Sequence, residues 1–148
     1  MALPINIEDL LNKRRIESNR IEFKKGWNPA KIYQTICAFA NDFDNIGGGY
    51  ILVGVEEENG IAKRPVLGIS EEELDRIQKA MIGYDNKINP YYRSRISLEE
   101  IDGKYVLVIW VPSGLDRPYD VMDDVTKRDA RPRWYVRSGT STIEAKGE

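Results

Sequence analysis

Two stretches of this chain fit best as neighbouring antiparallel strands. In the first, Tyr92, Ser94, Ile96 and Leu98 alternate with Arg93, Arg95, Ser97 and Glu99. The second, KYVLVIWV at 104–111, is apolar almost throughout. Period-two alternation marks a strand with one face covered, and a continuous apolar run marks one buried on both. Between them stands Asp102-Gly103, a pair suited to the positive φ angles of a tight hairpin. A sheet seeded by such a hairpin is not of the doubly wound, all-parallel kind.

The other elements group around it. Ile7, Leu10 and Leu11 lie at helical spacing behind Asn6, an N-cap candidate, and predict a short helix over about 6–16. NRIEFK at 19–24 alternates and predicts a strand. Asn28-Pro29 opens a helix over about 29–43: Asn caps free amides, and Pro at the first position sacrifices no hydrogen bond. Its apolar stripe is Ile32, Ile36, Phe39, Ala40 and Phe43. Gly47-Gly48-Gly49 leads into YILVGV at 50–55, a central strand. Asn59-Gly60 is a second hairpin signal, with a weaker strand near 61–67. Ser70 with Glu73 forms a capping box for a helix over 71–82, whose stripe is Leu74, Ile77 and Met81, with Gly83 as the C′ candidate. Short strands near 117–121 and 133–138 complete the sheet, and 140–146 starts a further helix. The expectation is α+β: one mixed, mainly antiparallel sheet with about three to four helices.

Composition narrows the chemistry. The chain has 148 residues, with one cysteine and no histidine. That length fits one domain, 1–148, which buries roughly 68–70% of its unfolded surface and needs no covalent staple. Without histidine there is no Ser-His-Asp triad, no Cys-His pair and no HExxH zinc site. Cys37 alone makes neither a disulfide nor a thiolate cage, and its helical position suggests a small core residue. Tyr33 and Tyr50 likewise read as packing. The N-terminus is too polar for a signal peptide, and no apolar run approaches the 18 residues of a membrane span. Cytoplasmic residence is expected.

The glycines at 47–49 do not make a phosphate loop. Such a loop follows a strand and opens a helix with Lys-Ser/Thr. Here the order is reversed, and the glycines serve a tight passage from helix to strand.

The formal charge is −2, from 22 Lys and Arg against 24 Asp and Glu. That total conceals two segments of +4. Residues 13–25 hold Lys13, Arg14, Arg15, Arg20, Lys24 and Lys25 against Glu17 and Glu22. Residues 127–137 hold Lys127, Arg128, Arg131, Arg133 and Arg137 against Asp129, with Trp134 and Tyr135 among them. Basic residues interleaved with aromatics suit phosphate contact and base stacking, although solvated faces paired with nearby acids fit the charge pattern equally well. On a strand, Arg133, Tyr135 and Arg137 share a face, as do Arg93 and Arg95. The run 138–142 (SGTST) offers hydroxyls to a phosphate or forms a turn. Glu17, Glu22 and the run Glu56–Glu58 are the places where carboxylates can gather, and clustered carboxylates bind Mg²⁺ or Mn²⁺. Five extended residues span roughly 16 Å, so Glu17 and Glu22 share an ion only if the chain bends between them.

Several motifs together resemble the Schlafen AlbA-like family, also called divergent AAA. Glu17-Ser18-x-x-Ile21-Glu22-Phe23-Lys24 is similar to its opening. Ala38-Phe39-Ala40-Asn41, then Gly48-Gly49 and Gly54-Val55, resemble its central signature. Pro118 and Tyr135-Val136-Arg137-x-Gly139-x-x-Thr142 match later landmarks. The resemblance covers about 17–145. It implies an α+β DNA-binding module of the kind found in bacterial transcriptional regulators, often followed by further domains; no such domain follows here, as expected of a stand-alone or truncated chain. The expected ligand is nucleic acid, with Lys24, Lys25, Arg93, Arg131, Arg133 and Arg137 on phosphates and Tyr135 stacking. The resemblance also implies an alternative: a metal-dependent endoribonuclease using Mg²⁺ or Mn²⁺ on Glu17, Glu22 and Glu56, with Glu where an Asp is usual at the third position. If the chain only binds, these acids serve as partners for Arg20, Arg137 or Lys24. A third reading is a protein-interaction or oligomerisation domain, with exposed hairpin strands pairing between chains, as in a homodimer.

Overall fold

The computed structural model describes residues 6–12 and 20–145. Helix α1 is Ile7–Asn12, strand β1 is Ile21–Lys24, helix α2 is Pro29–Asn41 and strand β2 is Gly49–Val53. A small hairpin, β3 (Glu57–Glu58) and β4 (Ile61–Ala62), leads to helix α3, Glu71–Tyr84. After a 3₁₀ turn come β5 (Ile88–Asn89), β6 (Arg95–Ile101), β7 (Lys104–Val111), β8 (Asp120–Met122), β9 (Pro132–Ser138) and β10 (Ser141–Glu144). The fold is α+β, with mixed and mostly antiparallel pairing. Two helices are long, and α1 has six residues.

The strands form two four-stranded sheets rather than one. The first runs β1-β2-β7-β6, and the second β10-β9-β8-β5. Only β1 and β2 pair in parallel in these sheets. The division has a physical reason in α2. The sequence offers an apolar stripe on this helix, yet Tyr33 and Cys37 are as fully buried as Ile32 and Ile36. The helix lies between the sheets: its core partners are Ile51, Val53, Leu107 and Ile109 from the first, and Val121 and Tyr135 from the second. The strands expected to extend one sheet instead cover the far side of α2. The opposite face of the first sheet carries Phe23, Leu52, Val106 and Val108 under Ile7 and Leu11 of α1.

Local signals explain the boundaries. Asn28 Oδ1 accepts from the Lys31 amide at 3.3 Å, and Pro29 opens α2. Ser70 Oγ accepts from the Glu73 amide at 3.2 Å. Both tight turns adopt the expected positive φ angles, 54° and 80° at Asn59-Gly60 and 54° and 74° at Asp102-Gly103. Three expectations need correction. Helix α2 ends at Asn41 because Asp42 turns left-handed (φ 37°), so Phe43 leaves the stripe and is exposed. Gly83 lies within α3, which continues to Tyr84. Residues 141–144 are a strand: Gly139 takes a φ of +61° and folds the chain back, pairing Ser141 with Ser138.

Candidate nucleic-acid interface and the polar core behind it

Strand parity decides where the charges of β1 go. Ile21 and Phe23 enter the core beneath α1, so Glu22 and Lys24 take the face toward α2. There Glu22 meets Arg137 from β9. Arg137 Nη1 donates to Glu22 Oε1 at 2.9 Å and to Thr142 Oγ1 at 2.9 Å. The guanidinium lies over the Phe39 ring, 4.8 Å from its centre, a cation–π placement. Thr142 Oγ1 also shares a hydrogen bond of 3.0 Å with Thr35 Oγ1 of α2. Lys24 Nζ stands 3.5 Å from Glu22 Oε2. The Arg137 side chain is 7% exposed and that of Glu22 16%. This network ties β1, α2 and both strands of the second sheet's outer hairpin together.

The metal reading can be tested on the same atoms. Both oxygens of Glu22 face cations, while Glu56 Oε1 lies 3.9 Å from Lys63 Nζ on its own hairpin. Glu17 falls outside the described residues. Among the described residues no group of three Asp, Glu, Cys or His side chains is placed to hold an ion. Of the three acids, Glu22 and Glu56 each stand beside cations rather than beside one another's carboxylates. Glu22 has the alternative role of pairing with Arg137 and Lys24.

The remaining basic residues occupy separate places. Lys24 and Lys25 line a shallow cleft of about 550 Å³ with Trp27 and Asn28, at the junction of β1 and α2. Lys25 is exposed and Trp27 half-buried. In the second basic segment, Arg131 is exposed and its amide donates to Asp123 Oδ1 at 3.2 Å. Arg133 Nε is 3.6 Å from Glu144 Oε2. Arg93 lies elsewhere, beside Asp85 and the end of α3. The shared face of Arg133, Tyr135 and Arg137 is the inner one. Tyr135 is consequently 6% exposed, and burial pushes its phenol up to about 12. Tyr135 is a core residue here, and the Arg137 side chain is largely enclosed by Glu22, Thr142 and Phe39. The outer face of β9 instead shows Trp134, 47% exposed.

A family model described as Schlafen, AlbA_2 matches residues 17–146. The chain belongs to the Schlafen AlbA_2 family. Among solved structures it resembles the N-terminal domain of an ATP-dependent DNA helicase RecG-related protein from Nitrosomonas europaea, so named provisionally, at 26% identity and a TM-score of 0.54. That match covers 85% of this chain and 76% of the other. It also resembles the DIP2311 protein from Corynebacterium diphtheriae, at 19% identity and a TM-score of 0.54, over 87% of this chain and 26% of that one. The second likeness concerns the fold alone. No relative among curated proteins matches.

The Schlafen AlbA_2 motifs can now be given physical roles. Asn41, last of the Ala38-Phe39-Ala40-Asn41 run, is fully buried. Its amide nitrogen donates to Tyr119 O at 3.1 Å and Tyr135 O at 2.8 Å, and its Oδ1 accepts from the Tyr119 amide at 2.7 Å. It pins α2 to the second sheet. Gly48 and Gly49 permit close approach: a Cβ at Gly48 would stand 1.9 Å from Val111 O, and one at Gly49 2.4 Å from the Phe39 ring. Asp42 was not singled out from the sequence. Its carboxylate accepts from the amides of Ile46, Gly47 and Gly48 at 3.0, 2.9 and 3.2 Å, ordering the glycine passage. An Asp directly after a helix and before glycines was the available signal. Cys37 is core, as its spacing suggested: its thiol donates to Tyr119 O at 3.2 Å, and burial pushes it up to about 12.

Proposed function

We propose that this Schlafen AlbA_2 chain is a nucleic-acid-binding module, with duplex DNA the first ligand to test and transcriptional regulation the setting. The observation that supports it most is the cleft at the end of β1, where Lys24 and Lys25 flank Trp27 at the opening of α2. Lysines attract phosphate by charge, and the aromatic ring offers a stacking surface. Exposed Arg131 offers a further cation beside the second sheet, and exposed Trp134, on the outer face of β9, takes the stacking role first expected of Tyr135. The RecG-related neighbour, whose name connects it to a DNA helicase, supports the same class of ligand.

Titration of a labelled duplex and a labelled single strand at several salt concentrations tests this reading. The expected result is binding whose log K falls by about 0.9 per phosphate contact on duplex. Lys25→Glu weakens it while the fold is retained. Absence of salt-dependent binding to either strand form would overturn the proposal.

A further inference from the structure

A second cleft lies away from the lysines, between α3 and the approach to β6. Met81, Ile82 and Asp85 sit at i, i+1 and i+4 of the helix end, with Gln78 one turn before. Opposite them runs the segment 93–96, at the free edge of the first sheet. The space enclosed is about 480 Å³, within the range of roughly 300–1,000 Å³ typical of small-molecule sites. Its walls combine an apolar surface from Met81, Ile82 and Ile96 with a few polar groups.

Those polar groups are specific. Ser94 is 8% exposed, and its hydroxyl is buried without a hydrogen-bond partner. Buried hydroxyls are nearly always satisfied, so an orphaned one lining a cavity points to a ligand. Asp85 is 5% exposed, and its Oδ1 accepts from the Tyr33 hydroxyl at 2.8 Å. Arg93 is exposed, and its positive charge acts on Asp85. Arg95 also lines the cleft, with its guanidinium 5.9 Å from the centre of the Trp110 ring. The cleft thus pairs an acceptor with a cation across an apolar wall. Its ligand must present N–H donors, an anion and an apolar body.

We infer that this cleft binds a single nucleotide unit, with the base against Met81, Ile82 and Ile96, its N–H edge toward Asp85, and its phosphate at Arg93 and the Ser94 hydroxyl. A nucleotide joins these three features in one molecule. Inorganic phosphate lacks the base, and a free amino acid fills little of the space. This site is separate from the Lys24–Lys25 cleft and does not depend on it.

The test is an amide-resolved NMR titration with the four 5′-ribonucleoside monophosphates, inorganic phosphate and leucine as separate arms. Mononucleotides should shift the amides of 78–85 and 93–96 saturably, at least tenfold tighter than phosphate alone. Arg93→Ala should weaken binding tenfold or more, and Ile82→Trp, at an exposed position, should block the cleft without unfolding the chain. Lys25→Glu should leave mononucleotide affinity unchanged. Equal affinity for phosphate alone, preference for leucine, shifts mapping elsewhere, or an unaffected Arg93→Ala variant would each overturn the inference. Loss of mononucleotide binding with salt-dependent oligonucleotide binding intact would overturn this site and leave the proposed function standing.

Discussion

Arg137 and Lys25 come from the two basic segments of the chain, and the fold uses them in opposite ways. Arg137 points inward from β9, stacks on Phe39 and pairs with Glu22. Lys25 follows the last residue of β1 and is exposed beside Trp27. Both count as one positive charge in the composition. Strand parity and the second sheet decide which charge becomes structure and which faces solvent. A basic segment is therefore evidence of nucleic-acid contact only for those cations whose register turns them outward.

That contrast can be broken at several points. The largest effect is expected from Arg137→Ala, which leaves Glu22 against α2 without its partner. Breaking a buried pair typically costs about 3–5 kcal/mol. With both side chains slightly exposed, the lower end, about 3 kcal/mol, is expected from denaturant unfolding. The folded fraction should bind nucleic acid with an unchanged salt slope. Glu22→Gln should be milder, about 1–2 kcal/mol, because the amide still accepts from Arg137 although the charge is lost. A coupling near zero in the Glu22→Ala, Arg137→Ala double-mutant cycle would contradict the pairing. Lys25→Glu reverses the pattern: stability should change by no more than about 0.5 kcal/mol, while affinity falls and the salt slope loses about one unit.

The smallest effect concerns an exposed pair. Arg64 Nη2 lies 2.6 Å from Asp102 Oδ1, and Val66 donates its amide to Asp102. The Arg64 hydrogen bond, then that of Val66, holds the Asp102 carboxyl below its ordinary value. A lowered folded-state pKa gives stability that is present above the ordinary carboxylate value and is lost as pH falls through the lowered one. Asp102→Asn should remove a small part of the acid-side loss, seen by comparing unfolding of both proteins at neutral pH and in acid. Solvent screening keeps it below the Arg137 effect.

Much of the fold was legible because local chemistry set it. Asn28-Pro29, Ser70 with Glu73, Asn59-Gly60 and Asp102-Gly103 each act where the sequence places them. The second sheet was not legible, since short strands carry too few residues to show which surface they cover. Ser141–Glu144 looked like a helix start because pairing with β9, which is non-local, decides it. The polar core was legible only in part. The alternation of β1 separates Glu22 from Phe23, but nothing local reveals that Arg137 arrives opposite it from a position 115 residues away. The face shared by Arg133, Tyr135 and Arg137 was readable; that it turns inward depends on α2.

The most direct test of the outward-facing half of this contrast is fluorescence anisotropy of duplex and single-stranded oligonucleotides from roughly 50 to 200 mM salt, with wild-type protein and Lys25→Glu. The predicted result is a linear fall of log K with log salt, shallower by about 0.9 in the variant. Affinity that is absent, insensitive to salt, or unchanged by Lys25→Glu would contradict it.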